Sequence, residues 1–416
     1  MESISSDART PSASPIAGTI PTSDVPVRRL PRIESFDGLR GATVIIVFVS
    51  HLEVILPIPT FAVVPGGTVS LDSFFVLSGF LITSLLLREQ GLTGQINTIH
   101  FYRRRAMRLL PPLFGLLVAH SIFAYLTGIS FHEEWTSLMS VLFYYSNWKL
   151  AFNSNYVGGI ANGMQHLWSL SLEEQFYLIW PWITIFVLTY RRRFRTVAVV
   201  LLGLIVAIAV HRSLSYHGTN WYAIFIRTDT RADGILIGCL LAHIWFRGLE
   251  PNRTIVRWAA TVASVFLLIC LPIVKSPGPF LFRGGFVAID VACALIILAL
   301  VDGHWGGRHF FNWRPFIVLG TVSYAFYLWH LPVFFAIRYY GHSWNAVVRV
   351  VVAVGATLLF TALSWCLLER PALDWKDRLE GRNPVPRLGL KSLRRPAATI
   401  LQESPLAKSA APGPSS

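Results

Sequence analysis

Charge is what this sequence has least of. Of its 416 residues only 14% are Asp, Glu, Lys or Arg, against 53% that are hydrophobic, whereas soluble domains carry about 25% charged residues. That deficit excludes an ordinary soluble globule. Cysteine is scarce as well. The four present, Cys239, Cys270, Cys293 and Cys366, lie inside apolar runs without metal-like or paired spacing, so neither a metal site nor a disulfide framework is expected and all four read as core residues. The first 32 residues are rich in Ser, Pro, Ala and Thr and lack the apolar stretch of a secretory signal peptide. They are expected to form a disordered cytoplasmic tail. Residues 372–416, rich in Pro, Ser and basic side chains, read as a second disordered, basic, cytoplasmic tail.

Long apolar runs are abundant by contrast. A bilayer core about 30 Å thick needs about 20 apolar residues per helix, and such stretches follow one another from 41 to 368. Spans are expected near 39–56, 71–88, 109–127, 167–190, 196–214, 232–247, 257–274, 285–302, 315–338 and 345–368. The fold class is therefore all-α, a polytopic transmembrane bundle of about ten spans occupying residues 33–371. The apolar stretch 137–148 is too short to span and reads as interfacial or re-entrant.

The net charge of +14 does not point to nucleic acid, because the basic residues cluster at the ends of apolar runs. Arg103, Arg104, Arg105 and Arg108 share one loop region. Arg191, Arg192, Arg193 and Arg195 share the next alternate one, followed by Arg247, Arg253 and Arg257 and then Arg308 and Arg314. The positive-inside rule places these loops, and with them both termini, on the cytoplasmic side of the plasma (inner) membrane.

An ionisable residue inside a span costs about 3 kcal/mol or more, so each is a functional candidate. They concentrate at Arg40 with His51 and Glu53, at His166 with Glu173 and Glu174, at Asp229, Arg231 and Asp233, and at Tyr327 with His330. At about 100° per residue, the eleven steps from Arg40 to His51 end about 20° past three full turns, with a rise of about 16.5 Å. The pair shares a helix face. Taken alone it does not decide a function: a lone histidine is ordinarily a satisfied core residue, and an arginine at a helix end ordinarily snorkels to the interface.

The segment Asp37-Gly38-Leu39-Arg40-Gly41 through His51 resembles the first span of the integral membrane acyltransferase type 3 family, in which a basic residue, ten others and a histidine recur. Further blocks continue the resemblance in order: Phe74 through Leu81; Phe101-Tyr102-Arg103-Arg104-Arg105 with Arg108 and Pro111; His166-Leu167-Trp168-Ser169-Leu170 leading to Glu173 through Tyr177; Thr228 through Asp233; Ser323-Tyr324 through His330; and Glu369-Arg370-Pro371. They cover residues 33–371. The resemblance implies a stand-alone O-acyltransferase without the fused extracellular hydrolase-like domain of many members. It would move an acyl group, acetyl foremost, from cytosolic acyl-CoA to a hydroxyl of a cell-envelope glycan or glycolipid, or of a macrolide-type small molecule.

His51, Arg40 and Glu173 are then the expected catalytic residues. Histidine suits a base because it titrates near neutrality; whether it deprotonates the acceptor or carries the acyl group itself stays open. Arg104, Arg105 and Arg108 are expected to grip the donor's phosphates, since arginine forks bind them bidentately, with Tyr102 and Ser78 also at the donor. Ser78-Gly79 otherwise reads as close helix packing. Glu173 is expected to orient His51, to pair with Arg231 or to bind an acceptor hydroxyl; a carboxylate at a helix start is also stabilised by the helix dipole alone. His166, Glu174, Asp229, Arg231, Tyr327 and His330 are expected to line the acceptor cavity, with an Asp229–Arg231 pair as the plainer reading. No metal and no bound cofactor are expected. The rival class is a transporter or exporter of a lipid or sugar conjugate, which internal repeats would favour; the histidine blocks differ in sequence and spacing. A glycosyltransferase would want acids in its first outer loop, where residues 52–70 offer Glu53.

Overall fold

Apolar chain in a bilayer must satisfy its own backbone, and helices do so within each segment. The computed structural model describes residues 33–57, 64–128, 130–152, 160–189, 194–248, 251–274 and 278–381; the expected N-terminal tail, and the C-terminal one beyond 381, lie outside them. Among the described residues the chain is helical throughout, without strands. Helix α1 (Glu34–Ser50) continues into a 3-10 turn, His51–Val54. It is followed by α2 (Ser70–Thr93), α3 (Thr98–Thr127), α4 (Phe131–Leu142), α5 (Ser146–Phe152) and α6 (Trp168–Thr189). Asn97 caps α3 by accepting from the His100 amide, while Gly94 and Gly128, at φ of 74° and 71°, end α2 and α3 in the left-handed region.

The second half comprises α7 (Phe194–Ser215), α8 (Trp221–Ile226), α9 (Thr228–Arg231), α10 (Asp233–Phe246), α11 (Arg253–Ile273) and α12 (Phe286–Asp302). It ends with α13 (Arg308–Phe311), α14 (Arg314–Thr321), α15 (Ser323–Tyr340), α16 (Ala346–Ser364) and α17 (Arg370–Leu379). Among the described residues, seven helices are long and apolar enough to cross a membrane, or eight if α14 and α15 count as one span. The protein is a multi-pass membrane protein. Of the expected spans, α6 and α10 fall outside that count. The 14 residues of α10 reach only about 21 Å.

Three expectations need correction. The single span expected at 315–338 is two helices meeting at 76°, because Val322 leaves helical geometry at φ −104°, ψ 13°. The region after Pro371 begins as ordered helix, α17. Cys366 is exposed, whereas the other three cysteines are buried.

Helix α2 lies along α10, and α1 along α14. The first contact depends on glycine: a Cβ at Gly79 would stand 2.0 Å from the Ile235 carbonyl oxygen, and one at Gly238 2.0 Å from that of Val76. Only small residues let two backbones approach so closely. The apolar interior divides into three clusters, and Tyr327 packs against all of them.

Candidate active site

Two small cavities meet at Tyr327. The first, about 130 Å³, is lined by Arg40 from α1, Ser78 from α2, Arg105 and Arg108 from α3, and Glu173 and Tyr177 from α6. The second, about 70 Å³, is lined by His51 and Glu53, by His166 and Trp168, and by Phe225 of α8. Leu71 and Tyr327 line both. A partition two side chains wide thus separates an arginine cavity from a histidine cavity.

Arg105 holds Glu174 through its Nε and Nη2 at 2.6–3.0 Å and lies 3.2 Å above the Tyr177 ring. Arg40 pairs with Asp37 at 3.4 Å. Arg108 is exposed and, among the described residues, forms no ion pair. The mouth therefore holds one guanidinium with its donors uncommitted to a carboxylate. Glu173 accepts from the Ser78 hydroxyl at 3.2 Å and from the Tyr177 hydroxyl at 3.4 Å. Ser78 faces the cavity, and its neighbour Gly79 makes the close helix contact.

The histidine cavity is ordered by backbone carbonyls, which accept hydrogen bonds and never donate. His51 Nδ1 lies 2.9 Å from the Val47 oxygen and therefore carries the proton. His330 Nδ1 lies 2.6 Å from the Tyr327 oxygen and is likewise protonated. His330 Nε2 is then a lone pair, 3.3 Å from His51 Nδ1, and shares its proton with Val47. His51 Nε2 is left with its lone pair available. His166 donates from Nε2 to the same Tyr327 carbonyl at 3.0 Å, and its ring stands 4.9 Å from that of His330. The Tyr327 hydroxyl donates to the His166 carbonyl at 2.6 Å and lies 2.6 Å from Ser169 Oγ.

Some expected site residues lie elsewhere. Arg104 turns to His100 and Glu89, at 2.9 and 3.5 Å, and Tyr102 donates to the Leu178 carbonyl; neither lines the arginine cavity. Arg231 pairs with neither Glu173 nor Asp229. It is buried against Asp72 at 2.6 Å, while Asp229 is bound by Arg227 and lies 3.1 Å from His211. The Arg231–Asp72 pair belongs to a buried group with Arg212, Asp233 and Asp290; Arg212 meets Asp233 at 2.6 Å. Asp72, Arg212 and Asp290 escaped the sequence reading, as did Tyr177 and the His120–Glu134 contact of 3.5 Å between α3 and α4. Burial pushes the Glu134 carboxyl above the usual range. For Asp72, Arg212 and Asp290 the visible signal was charge inside an apolar run, and for Tyr177 its place at the end of the Glu173 block.

The acyltransferase domain of a known family matches residues 33–369. The chain belongs to the integral membrane acyltransferase type 3 family. It is similar to the putative peptidoglycan O-acetyltransferase YrhL of Bacillus subtilis (strain 168), 33% identical over 82% of this chain and 54% of that protein. It is also similar to the peptidoglycan O-acetyltransferase OatA of Listeria monocytogenes, 31% identical over 82% of this chain and 55% of that protein. A Staphylococcus aureus O-acetyltransferase OatA is 31% identical over 82% of this chain and 57% of its own length. The chain thus spans a little over half the length of these relatives. No solved structure matches it.

Proposed function

We propose that this family member is a membrane O-acetyltransferase of the cell envelope, taking its acyl group from cytosolic acyl-CoA and passing it to a glycan or glycolipid hydroxyl. The observation that carries the reading is the pair of cavities sharing Leu71 and Tyr327, with uncommitted arginine in one and an available histidine lone pair in the other. Arg108, Arg40 and the rim of Arg105 meet the phosphates of the donor, and guanidinium forks are suited to them. His51 Nε2 takes the proton from the acceptor hydroxyl as its oxygen attacks the acyl carbonyl. The carbon–sulfur bond breaks, and the departing thiolate takes up that proton. The relatives named for peptidoglycan O-acetylation support acetyl and a cell-wall sugar.

The partition favours a second route. If the donor stays in the arginine cavity and the acceptor in the other, His51 Nε2 attacks the thioester, the carbon–sulfur bond breaks and the thiolate takes up the proton that the acylated ring releases; the acceptor hydroxyl then displaces the imidazole from the acyl carbon and its proton returns to the ring. The test uses protein in lipid nanodiscs with labelled acetyl-CoA and cell-wall glycan. His51→Ala should lower turnover by about 100-fold or more. Arg108→Ala should raise the donor KM by about tenfold or more while leaving kcat nearly intact. Equal label transfer by the wild type and both variants refutes the assignment. Label found on quenched protein without acceptor selects the acyl-histidine route.

A further inference from the structure

Along the flank of α6, outside both polar cavities, lies a groove that acyl transfer as described does not use. Its volume is about 910 Å³, far above that of either polar cavity, and its walls are α6 and α7 with α10 as the floor. From Val197 to Ile208 of α7, a distance of about 16 Å, the lining is mostly aliphatic and aromatic; Thr196 stands at one end, and His243 of α10 bonds through Nδ1 to the Cys239 carbonyl. The Thr184 hydroxyl there is tied to the Trp180 carbonyl. Water finds few partners along such a wall, so in a bilayer the occupant is hydrocarbon.

The end near Asp229 is different. Gln175 Oε1 accepts from the Thr228 hydroxyl at 2.5 Å and the Trp148 indole at 3.3 Å, and its Nε2 donates to the Tyr144 carbonyl at 2.6 Å and to Asn147 at 3.0 Å, which fixes Trp148 in place. Arg227 lies over the Trp148 ring at 5.6 Å with its charge met by Asp229. A neutralised ion pair beside an indole face suits a sugar better than a bare phosphate. This end also lies close to the histidine cavity. Trp168 sits seven residues before Gln175, about 10 Å along nearly the same face of α6, and meets Phe225 at 5.0 Å; both rings line the His51 cavity.

The geometry points to a binding site for the hydrocarbon tail of a lipid-linked sugar, the acceptor of the reaction, with its sugar held at Trp148 and Asp229 beside the His51 cavity. This rests on the acyl-transfer reading above. Lipid anchoring explains why an apolar groove of this size accompanies so small an acceptor cavity: the tail supplies affinity, and the sugar alone enters the site.

The test uses two acceptors, a disaccharide on a hexadecyl chain and the same disaccharide on a butyl chain. In the wild type the hexadecyl glycoside should have the lower KM. Val200→Trp and Leu204→Trp place bulk in the groove from positions 54% and 47% exposed. They should raise that KM by about tenfold, as expected when two methylenes are denied burial, and leave the butyl glycoside unchanged. Val199→Trp, on an exposed face of α7 outside the groove, should change neither. Equal KM for both chains in the wild type, or equal effects of Val199→Trp and Val200→Trp, overturns the site. A diazirine on the hexadecyl chain gives a readout independent of turnover: label should fall on α6, α7 and α10 and diminish in Val200→Trp. Label spread evenly around α7 also overturns the site. Label confined to the groove while the wild type acylates neither glycoside overturns the acyl-transfer reading, and with it the tail's role as acceptor anchor.

Discussion

The His51 tautomer that the proposed reaction needs is held with the help of a second histidine. The Val47 carbonyl fixes a proton on Nδ1, and His330 Nε2, held as an acceptor by its own bond to Tyr327, faces the same proton. Replacing His330 with alanine leaves the His51 ring held from one side, free to turn. The expected result is a fall in kcat of at least about tenfold with little change in either KM. His330→Gln, whose side-chain oxygen accepts, should recover part of it; a KM change with kcat intact would rule out this positioning role. At this scale much was legible in sequence. Spacing placed Arg40 and His51 on one face, and both line cavities bounded by Leu71 and Tyr327. The proton placement was not legible, because it depends on carbonyls whose direction only the fold determines.

Helices α2 and α9 are joined by an ion pair that no local pattern announces, since Asp72 and Arg231 stand 159 residues apart. Both side chains are fully buried. Removing one partner strands the other's charge, so Asp72→Leu should destabilise the protein by about 3–5 kcal/mol. Asp72→Leu combined with Arg231→Met should regain most of that loss. Thermal unfolding in detergent measures both. If the double variant is as unstable as the single, the penalty lies in lost packing rather than in stranded charge. The helices themselves were mostly visible as apolar runs, and Asn97 and Gly128 sit where caps are needed. The 76° bend between α14 and α15 was not, because the residues on either side are equally apolar and hydropathy carries no direction.

Across the whole molecule, the arginines argue for one orientation in the membrane. Arg103 is exposed near the start of α3, so Arg103→Cys should react with a membrane-impermeant maleimide in inside-out vesicles and not in intact spheroplasts. A Cys366→Ser background removes the exposed native thiol. Labelling from outside would reverse the topology. The number of crossings was the least legible feature. Buried charge at the start of α10 lowers its apparent hydropathy while its neighbours shelter it, and a 14-residue helix is too short to be judged by a window of bilayer length.

The thin wall made by Leu71 and Tyr327 also has an electrical consequence. Where watery cavities approach from two sides, most of the membrane voltage falls across the barrier between them, and a unit charge crossing it exchanges about 2.3 kcal/mol per 100 mV. An acetyl group passed through that wall in exchange for the acceptor's hydroxyl proton moves no net charge. Turnover in proteoliposomes should therefore be indifferent to an imposed potassium diffusion potential of either sign, whereas passage of the anionic donor itself would make the rate follow the voltage.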